Sequence, residues 1–128
     1  MKRTKAQKQA YFKALRERWS EAKKLLDDKK IDEIQAIIRT HGLKISRMGF
    51  LFVSIQMQKL GLDGLPYLDT KTYKGWRENG FQVKKGEKSQ ISGVTWIRPG
   101  EDDPEVDSSD YMFPKEYHLF HRSQVEAA

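Results

Sequence analysis

The sequence predicts an α+β fold, with N-terminal helices followed by a short helix and a small antiparallel β-sheet that carries a KKG hairpin turn. Two observations support this prediction. Apolar residues recur at helical spacing between residues 5 and 61, whereas residues 81–121 contain short runs rich in aromatic and β-branched residues. Because the predicted helices and strands occupy separate parts of the chain, the pattern favours α+β over an alternating α/β arrangement.

Three helices are predicted in the first half of the chain. Residues 5–28 form an amphipathic helix, and a shorter helix covers residues 32–40 and stops before Gly42. Residues 45–61 are apolar around most of the helical circumference, which is typical of a central helix covered on several sides. The apolar stripe of the first helix is Tyr11, Leu15, Trp19, Ala22 and Leu26. Trp19 is therefore expected in the core.

The second half predicts a short helix and three strands. The helix covers residues 71–79, with Asp69 or Thr70 as its N-cap and Gly80 as the left-handed residue that ends it. The predicted strands are residues 81–84, 91–97 and 112–121, and Lys85 and Gly86 form the turn after the first. The segment PGEDDPEVDSSD, residues 99–110, cannot bury a core face and is predicted to be an exposed loop.

Charge divides the chain into a basic body and an acidic tail. Residues 1–44 carry 13 Lys and Arg against 6 Asp and Glu, and residues 45–98 carry 9 against 4. Residues 99–128 carry 2 against 8. The basic body favours a polyanionic partner, of which nucleic acid is the commonest. With no cysteine, no signal peptide and no apolar window long enough for a bilayer, we expect a cytoplasmic protein without a membrane partner.

Catalytic signatures are nearly absent from the sequence. There is no phosphate-cradling glycine motif, no nucleophile elbow and no helical HExxH. His118 and His121 lie three apart in a predicted strand, so their side chains should point to opposite faces and cannot share a metal ion. The acidic segment lacks the ligand spacing of a calcium loop. We therefore expect a protein that is not an enzyme and has no cofactor, metal or small-molecule substrate.

The turn GFQVKKGEK offers a better candidate site. Lys84, Lys85 and Lys88 project from it, so their ammonium groups are placed to follow a phosphate backbone. Aromatic and cationic residues accompany the turn, as in surfaces on which unpaired bases stack: Tyr73, Trp76, Arg77, Phe81 and Trp96. The alternative is that Trp76, Phe81 and Trp96 are core residues and the lysines only keep the turn soluble.

The run TYKGWRENGFQVKKGEK, residues 72–88, resembles the core of the single-stranded-DNA-binding domain at the amino end of ArdC-type antirestriction proteins. The resemblance continues upstream in SRMGFLFVSIQ and downstream in YHLFHRSQVE, so it covers residues 46–126. Two positions depart from the family pattern: Gly49 replaces an asparagine and His121 replaces an aspartate. The resemblance implies a binding module of a phage, plasmid or other mobile element, without the catalytic domain that often follows in that family.

Residues and resemblance together predict one compact domain. Residues 1–44 are a basic helical segment packed on it, and residues 45–128 are the ArdC-like core that binds single-stranded nucleic acid, DNA before RNA, in an antirestriction-like role. Lys84, Lys85 and Lys88 would contact phosphates. Arg77 and Arg47 would support them, and Tyr73 or Trp76, if exposed, would supply a stacking face. Further polar contacts are assigned to Arg122 and Gln124.

A second hypothesis belongs to a different class. The protein would inhibit a host nuclease, as an anti-CRISPR or antirestriction protein, by presenting the acidic residues 101–110 as an imitation of nucleic-acid phosphates. A third interpretation is that the acidic segment serves only solubility.

Overall fold

The computed structural model describes residues 4–97 and 113–128. Within them the protein is α+β, as the sequence predicts. The helices are α1 (Lys5–Lys23), α2 (Asp28–His41), α3 (Arg47–Leu60) and α4 (Tyr73–Glu78), and a 3-10 helix covers Arg122–Gln124. The strands are β1 (Thr70–Lys71), β2 (Phe81–Val83), β3 (Ile91–Ile97), β4 (Phe113–His121) and β5 (Val125–Ala127).

The first two helices divide the chain differently from the prediction. Thr4 caps α1 through the backbone N–H of Gln7, and α1 ends at Lys23 instead of continuing to residue 28. The reason is Asp27, whose carboxylate accepts the N–H of Lys30 and so starts α2 at Asp28, four residues before its predicted start. The predicted end of α2 is confirmed, because Gly42 has φ 62° and closes the helix.

Helix α3 is the centre of the fold, as its all-round apolar sequence predicts. Phe52 packs with residues of α1 and β3, whereas Val53 and Met57 pack against the sheet through Ile91 and Leu119. A third face meets α2, where Phe50 and Leu51 join Ile34. Helices α1 and α2 thus both pack on α3.

The cap of α4 differs from both predicted candidates. Thr72 is the N-cap, and its hydroxyl accepts the N–H of Gly75 at 3.0 Å. Asp69 and Thr70 instead serve the preceding loop, where their side chains accept the N–H groups of Leu65 and Tyr67. Because those oxygens are already engaged, the helix begins two residues later than predicted, at Tyr73.

Strand pairing corrects the predicted hairpin. Strands β1, β4 and β3 form one antiparallel sheet in that order, whereas β2 pairs antiparallel with β5 in a separate two-stranded sheet. Phe81, Gln82 and Val83 lie opposite Ala127, Glu126 and Val125. The KKG turn therefore connects two sheets and is not a hairpin between paired strands. No helix in the described part of the chain is long and apolar enough to cross a membrane.

Candidate nucleic-acid interface

The KKG turn presents three exposed cations on an ordered backbone. The N–H of Glu87 donates to the carbonyl oxygen of Lys84 at 3.1 Å, and Gly86 has φ 88° within this turn. A side chain at that φ would be strained, so glycine is the residue that this tight turn favours. Lys84, Lys85 and Lys88 are all exposed. The structure therefore places the three predicted phosphate contacts on one solvent-facing segment.

Gln124 holds this turn from beneath. Its side chain is only 3% exposed, and its Nε2 donates to the carbonyl oxygen of Lys88 at 2.7 Å and to the carboxylate of Glu87 at 3.2 Å. Its Oε1 accepts the N–H of His121 at 3.0 Å. The prediction that Gln124 contacts a ligand is therefore wrong. Its amide is buried and already engaged, because it joins the turn to the end of β4.

The 3-10 helix lies directly beside the turn. The backbone N–H of Lys84 donates to the carbonyl oxygen of Gln124 at 2.9 Å, and its Nζ donates to the carbonyl oxygen of Ser123 at 3.3 Å. Arg122 precedes Ser123 and is exposed, as the prediction requires. These contacts bring Arg122 and the lysine turn into one surface.

Asp69 holds the guanidinium of Arg122. Its Oδ1 accepts Arg122 Nε at 2.7 Å, and its Oδ2 accepts the N–H of Leu65 at 2.7 Å. Burial alone would raise the pKa of Asp69, but these two hydrogen bonds and the nearby Arg122 and His121 outweigh it and leave the pKa below its ordinary value. The carboxylate is therefore ionised and partly neutralises Arg122.

Helix α4 carries an aromatic ring that faces solvent. Tyr73 is 50% exposed, its ring meets Phe120 edge-on at a centroid distance of 6.4 Å, and the Arg77 guanidinium lies 6.0 Å from its centroid. Phe120 belongs to β4, directly before His121 and the 3-10 helix. A fixed aromatic face with a neighbouring guanidinium can stack an unpaired base.

Trp76 does not share that exposure, so of the two candidate stacking faces only Tyr73 meets the condition of being exposed. Trp76 is 2% exposed, its Nε1 donates to the carbonyl oxygen of Phe120 at 2.8 Å, and its ring packs against Phe81 at 5.5 Å. For Trp76 the alternative interpretation as a core residue is correct. Trp96 also lies away from the turn, because its ring packs against that of Trp19 at a centroid distance of 5.5 Å.

Lys71 is a cation of this surface that the sequence analysis missed. It lies in β1 opposite Phe120, its Nζ donates to the carbonyl oxygen of Tyr67 at 3.0 Å, and the same nitrogen stands 5.5 Å from the Trp76 ring centroid. A signal was present in the sequence, since Lys71 is two residues before Tyr73 in the segment TKTYK. Predicting those residues as the first turn of a helix concealed that Lys71 lies in a strand.

Arg47 lies apart from the turn. It is the first residue of α3, and its guanidinium donates to the side-chain oxygen of Gln35 in α2 at 3.5 Å. The opposite end of α3 leads into the loop whose Asp69 holds Arg122. At 1.5 Å per residue, Arg47 and Leu60 are separated by about 20 Å along the helix axis. The structure thus does not bring Arg47 together with the lysine turn.

The two histidines of β4 lie as the strand geometry predicts, since His118 is exposed and His121 is 7% exposed. The ring of His121 hydrogen bonds to the carbonyl oxygen of Asp63 and to the hydroxyl of Ser123. Within residues 4–97 and 113–128, no three His, Cys, Asp or Glu side chains are grouped so that they could hold a metal ion.

The acidic segment 101–110 and the predicted strand start at residue 112 lie outside the described residues.

Comparison of the chain with protein-family models, with curated proteins and with solved structures finds no match.

Proposed function

We propose that the protein is a non-enzymatic single-stranded-DNA-binding protein, of ArdC-like type, with an antirestriction-like role in a phage or other mobile element. The proposal rests on one observation: a cationic turn and an exposed aromatic ring lie on the same surface. Gln124 fixes the turn that bears Lys84, Lys85 and Lys88, and the adjoining end of β4 supports Tyr73 through Phe120.

Electrostatics on this surface favour a polyanion. Six cationic side chains belong to it: Lys71, Arg77, Lys84, Lys85, Lys88 and Arg122. Asp69 is paired with Arg122, and Glu87 accepts a hydrogen bond from Gln124. Neither acid pairs with a lysine of the turn, so all three lysines can face phosphates, and Lys84 keeps further N–H donors beside its contact with Ser123. Phosphate contacts supply most of the affinity and its salt dependence.

Tyr73 is the reason for preferring single strands. In a duplex the bases are stacked on one another, so they cannot lie on an outside ring, whereas an unpaired base can. The ring is held by Phe120 and is half exposed, so it needs no rearrangement before a base stacks on it. Arg77 beside it adds a cation for the neighbouring phosphate or for the base itself.

The resemblance of residues 46–126 to the ArdC-type domain supports the same function and suggests the mobile-element setting. In this proposal Gln124 and Trp76 are structural members of the motif, and the lysines, Tyr73, Arg77 and Arg122 are its ligand contacts. Lys71 joins them as a further cation.

The test is fluorescence anisotropy with a labelled single strand across a salt series, for the protein and for the triple variant K84A/K85A/K88A. Each lost phosphate contact lowers the salt slope by about 0.7, so the variant should lose about 2. The matched control K13A/K23A/K29A removes three exposed lysines of α1 and α2 and should bind like the unmodified protein. An unchanged slope in K84A/K85A/K88A would exclude the turn as the contact surface.

A further inference from the structure

A second cationic surface lies at the junction of α2 and α3, at the end of α3 remote from the lysine turn. Arg39, Lys44 and Arg47 are exposed there. Residues 34–62 contain no Asp or Glu, so no acid adjacent in the chain neutralises them. Among the described residues, none of the three makes an ion pair.

Both arginines lie next to Gln35 of α2. Arg47 donates to Gln35, and Gln35 and Arg39 stand four residues apart on α2, so they are neighbours on one helix face. The Cβ atoms of Gln35 and Arg39 are then about 5–6 Å apart. Lys44 lies in the connection between the helices, three residues before Arg47. Arg47 thus contacts Gln35, Arg39 follows Gln35 by one helical turn, and Lys44 is a third exposed cation close by in the chain. Like charges in such proximity favour the binding of an anion.

This surface differs from the turn in lacking an aromatic face. Among the described residues, the large hydrophobic side chains that are exposed are Leu25, Leu60 and Tyr73. Tyr73 is the only aromatic residue of these three. Residues 34–49 contain no Phe, Tyr or Trp. Without a Phe, Tyr or Trp ring, a ligand at the α2–α3 junction is held mainly through its charge.

We infer that the α2–α3 junction is a second nucleic-acid site, which binds the phosphodiester backbone without reading bases and so accepts a duplex as readily as a single strand. The inference rests on the proposed function. It adds that one chain has two nucleic-acid surfaces of different selectivity, one of them at the N-terminal end of α3, a helix about 20 Å long. Such a protein can hold a single strand beside the duplex from which it emerges.

The experiment compares two variants on two ligands by fluorescence anisotropy. The ligands are one labelled oligonucleotide and the duplex that it forms with its complement. The junction variant R39Q/K44Q/R47Q should lose roughly tenfold or more in duplex affinity, and its duplex salt slope should fall by about 2.7, or 0.9 for each phosphate contact. Its preference for the single strand should rise. The turn variant K84A/K85A/K88A should show the converse, with duplex binding kept and single-strand preference lost.

Two further variants separate charge from structure. K13Q/K23Q/K29Q removes the same number of charges elsewhere and should leave duplex binding unchanged. R39K/R47K keeps the charges and should retain most of the duplex affinity, since phosphate accepts either cation. Loss of duplex binding in R39K/R47K with a native melting temperature would overturn a charge-based site.

The outcomes distinguish this inference from the proposed function. Unchanged duplex affinity in R39Q/K44Q/R47Q, or no duplex binding by the unmodified protein, would overturn the second site and leave single-strand binding at the turn intact. If the unmodified protein shows no preference for single strands, the proposed function fails. A duplex affinity that still depends on Arg39, Lys44 and Arg47 would then support the junction site by itself.

Discussion

The side-chain amide of Gln124 donates to the backbone carbonyl of Lys88 over 2.7 Å, from a position that is only 3% exposed. Through the same side chain the N–H of His121 is satisfied at 3.0 Å. One buried amide therefore links the lysine turn to the end of β4, which carries Phe120 and leads into the 3-10 helix at Arg122. The relative position of the two halves of the candidate interface depends on this residue.

Replacing Gln124 by alanine should destabilise the protein by about 1–3 kcal/mol, because buried backbone groups lose their partners. It should also weaken single-strand binding while the salt slope stays the same, since the turn keeps its three lysines. Urea denaturation and anisotropy measure the two effects. The control is Gln82→Ala in β2, where the exposed amide bonds to Glu126 at 3.3 Å. Equal unfolding midpoints for the two variants would show that Gln124 does not anchor the turn.

Tyr73→Ala should reduce single-strand affinity by about 1–3 kcal/mol for the stacked base, with duplex binding unaffected. Tyr73→Phe should bind almost normally, because the ring and not the hydroxyl makes the stacking contact. The fold should tolerate both changes, since the ring is half exposed. Leu60→Ala, at a side chain that is 47% exposed on α3, controls for the loss of surface apolar area. A duplex affinity that falls in parallel would contradict a stacking role.

Glu116 connects α1 to β4. Its Oε1 accepts the hydroxyl of Tyr11 at 2.7 Å, and its Oε2 lies 3.6 Å from the guanidinium of Arg18. Burial alone would raise the pKa of Glu116, but hydrogen bonds from Ser92 and Tyr11 and the charges of Arg18 and His118 outweigh it. The pKa in the folded protein is therefore lower than its ordinary value.

The sign of this shift predicts the effect of acid. Because the folded pKa is lowered, the stabilisation by Glu116 is fully present above its unfolded value of about 4.3 and is lost as the pH falls through the folded pKa. Glu116→Gln should therefore lower stability at pH 7 and flatten its decline toward pH values of about 3. Urea denaturation across that range provides the measurement. Glu78→Gln, whose exposed carboxylate lies 4.0 Å from Lys74, should keep the decline of the unmodified protein.

Trp19 packs its ring against Phe52 at 5.4 Å and Trp96 at 5.5 Å, beside the buried Leu15 and Val94. Trp19→Ala should cost about 3 kcal/mol of unfolding free energy, the lower end of the range for aromatic truncations, because the ring is only partly buried. Leu25→Ala, at a side chain 57% exposed just beyond α1, should cost little. A Trp19→Ala protein with a native midpoint and lost DNA affinity would place Trp19 in a binding surface instead.

The sequence by itself determined the features that depend on neighbouring residues. Hydrophobic periodicity predicted α1, α2 and α3, and all-round apolarity predicted that α3 lies at the centre. Gly42 and Gly80 predicted the ends of α2 and α4, and Gly86 predicted the tight turn. All three glycines have positive φ. The exposure of Lys84, Lys85 and Lys88 was predicted as well, because a turn with four charged residues has no apolar face to bury.

Only the tertiary structure decided which distant segments meet. The pairing of β2 with β5 joins residues more than forty positions apart, and no local pattern distinguishes it from the predicted pairing with β3. The same limit explains Trp76 and Gln124, whose residue types suit a binding surface as well as a core. Burial and hydrogen bonding assign them to the core, since Trp76 donates to Phe120 and Gln124 to Lys88. The position of Arg47 likewise depends on the packing of α2 against α3. The chemistry of a side chain is known from its residue type, but its place in the fold is set by long-range contacts.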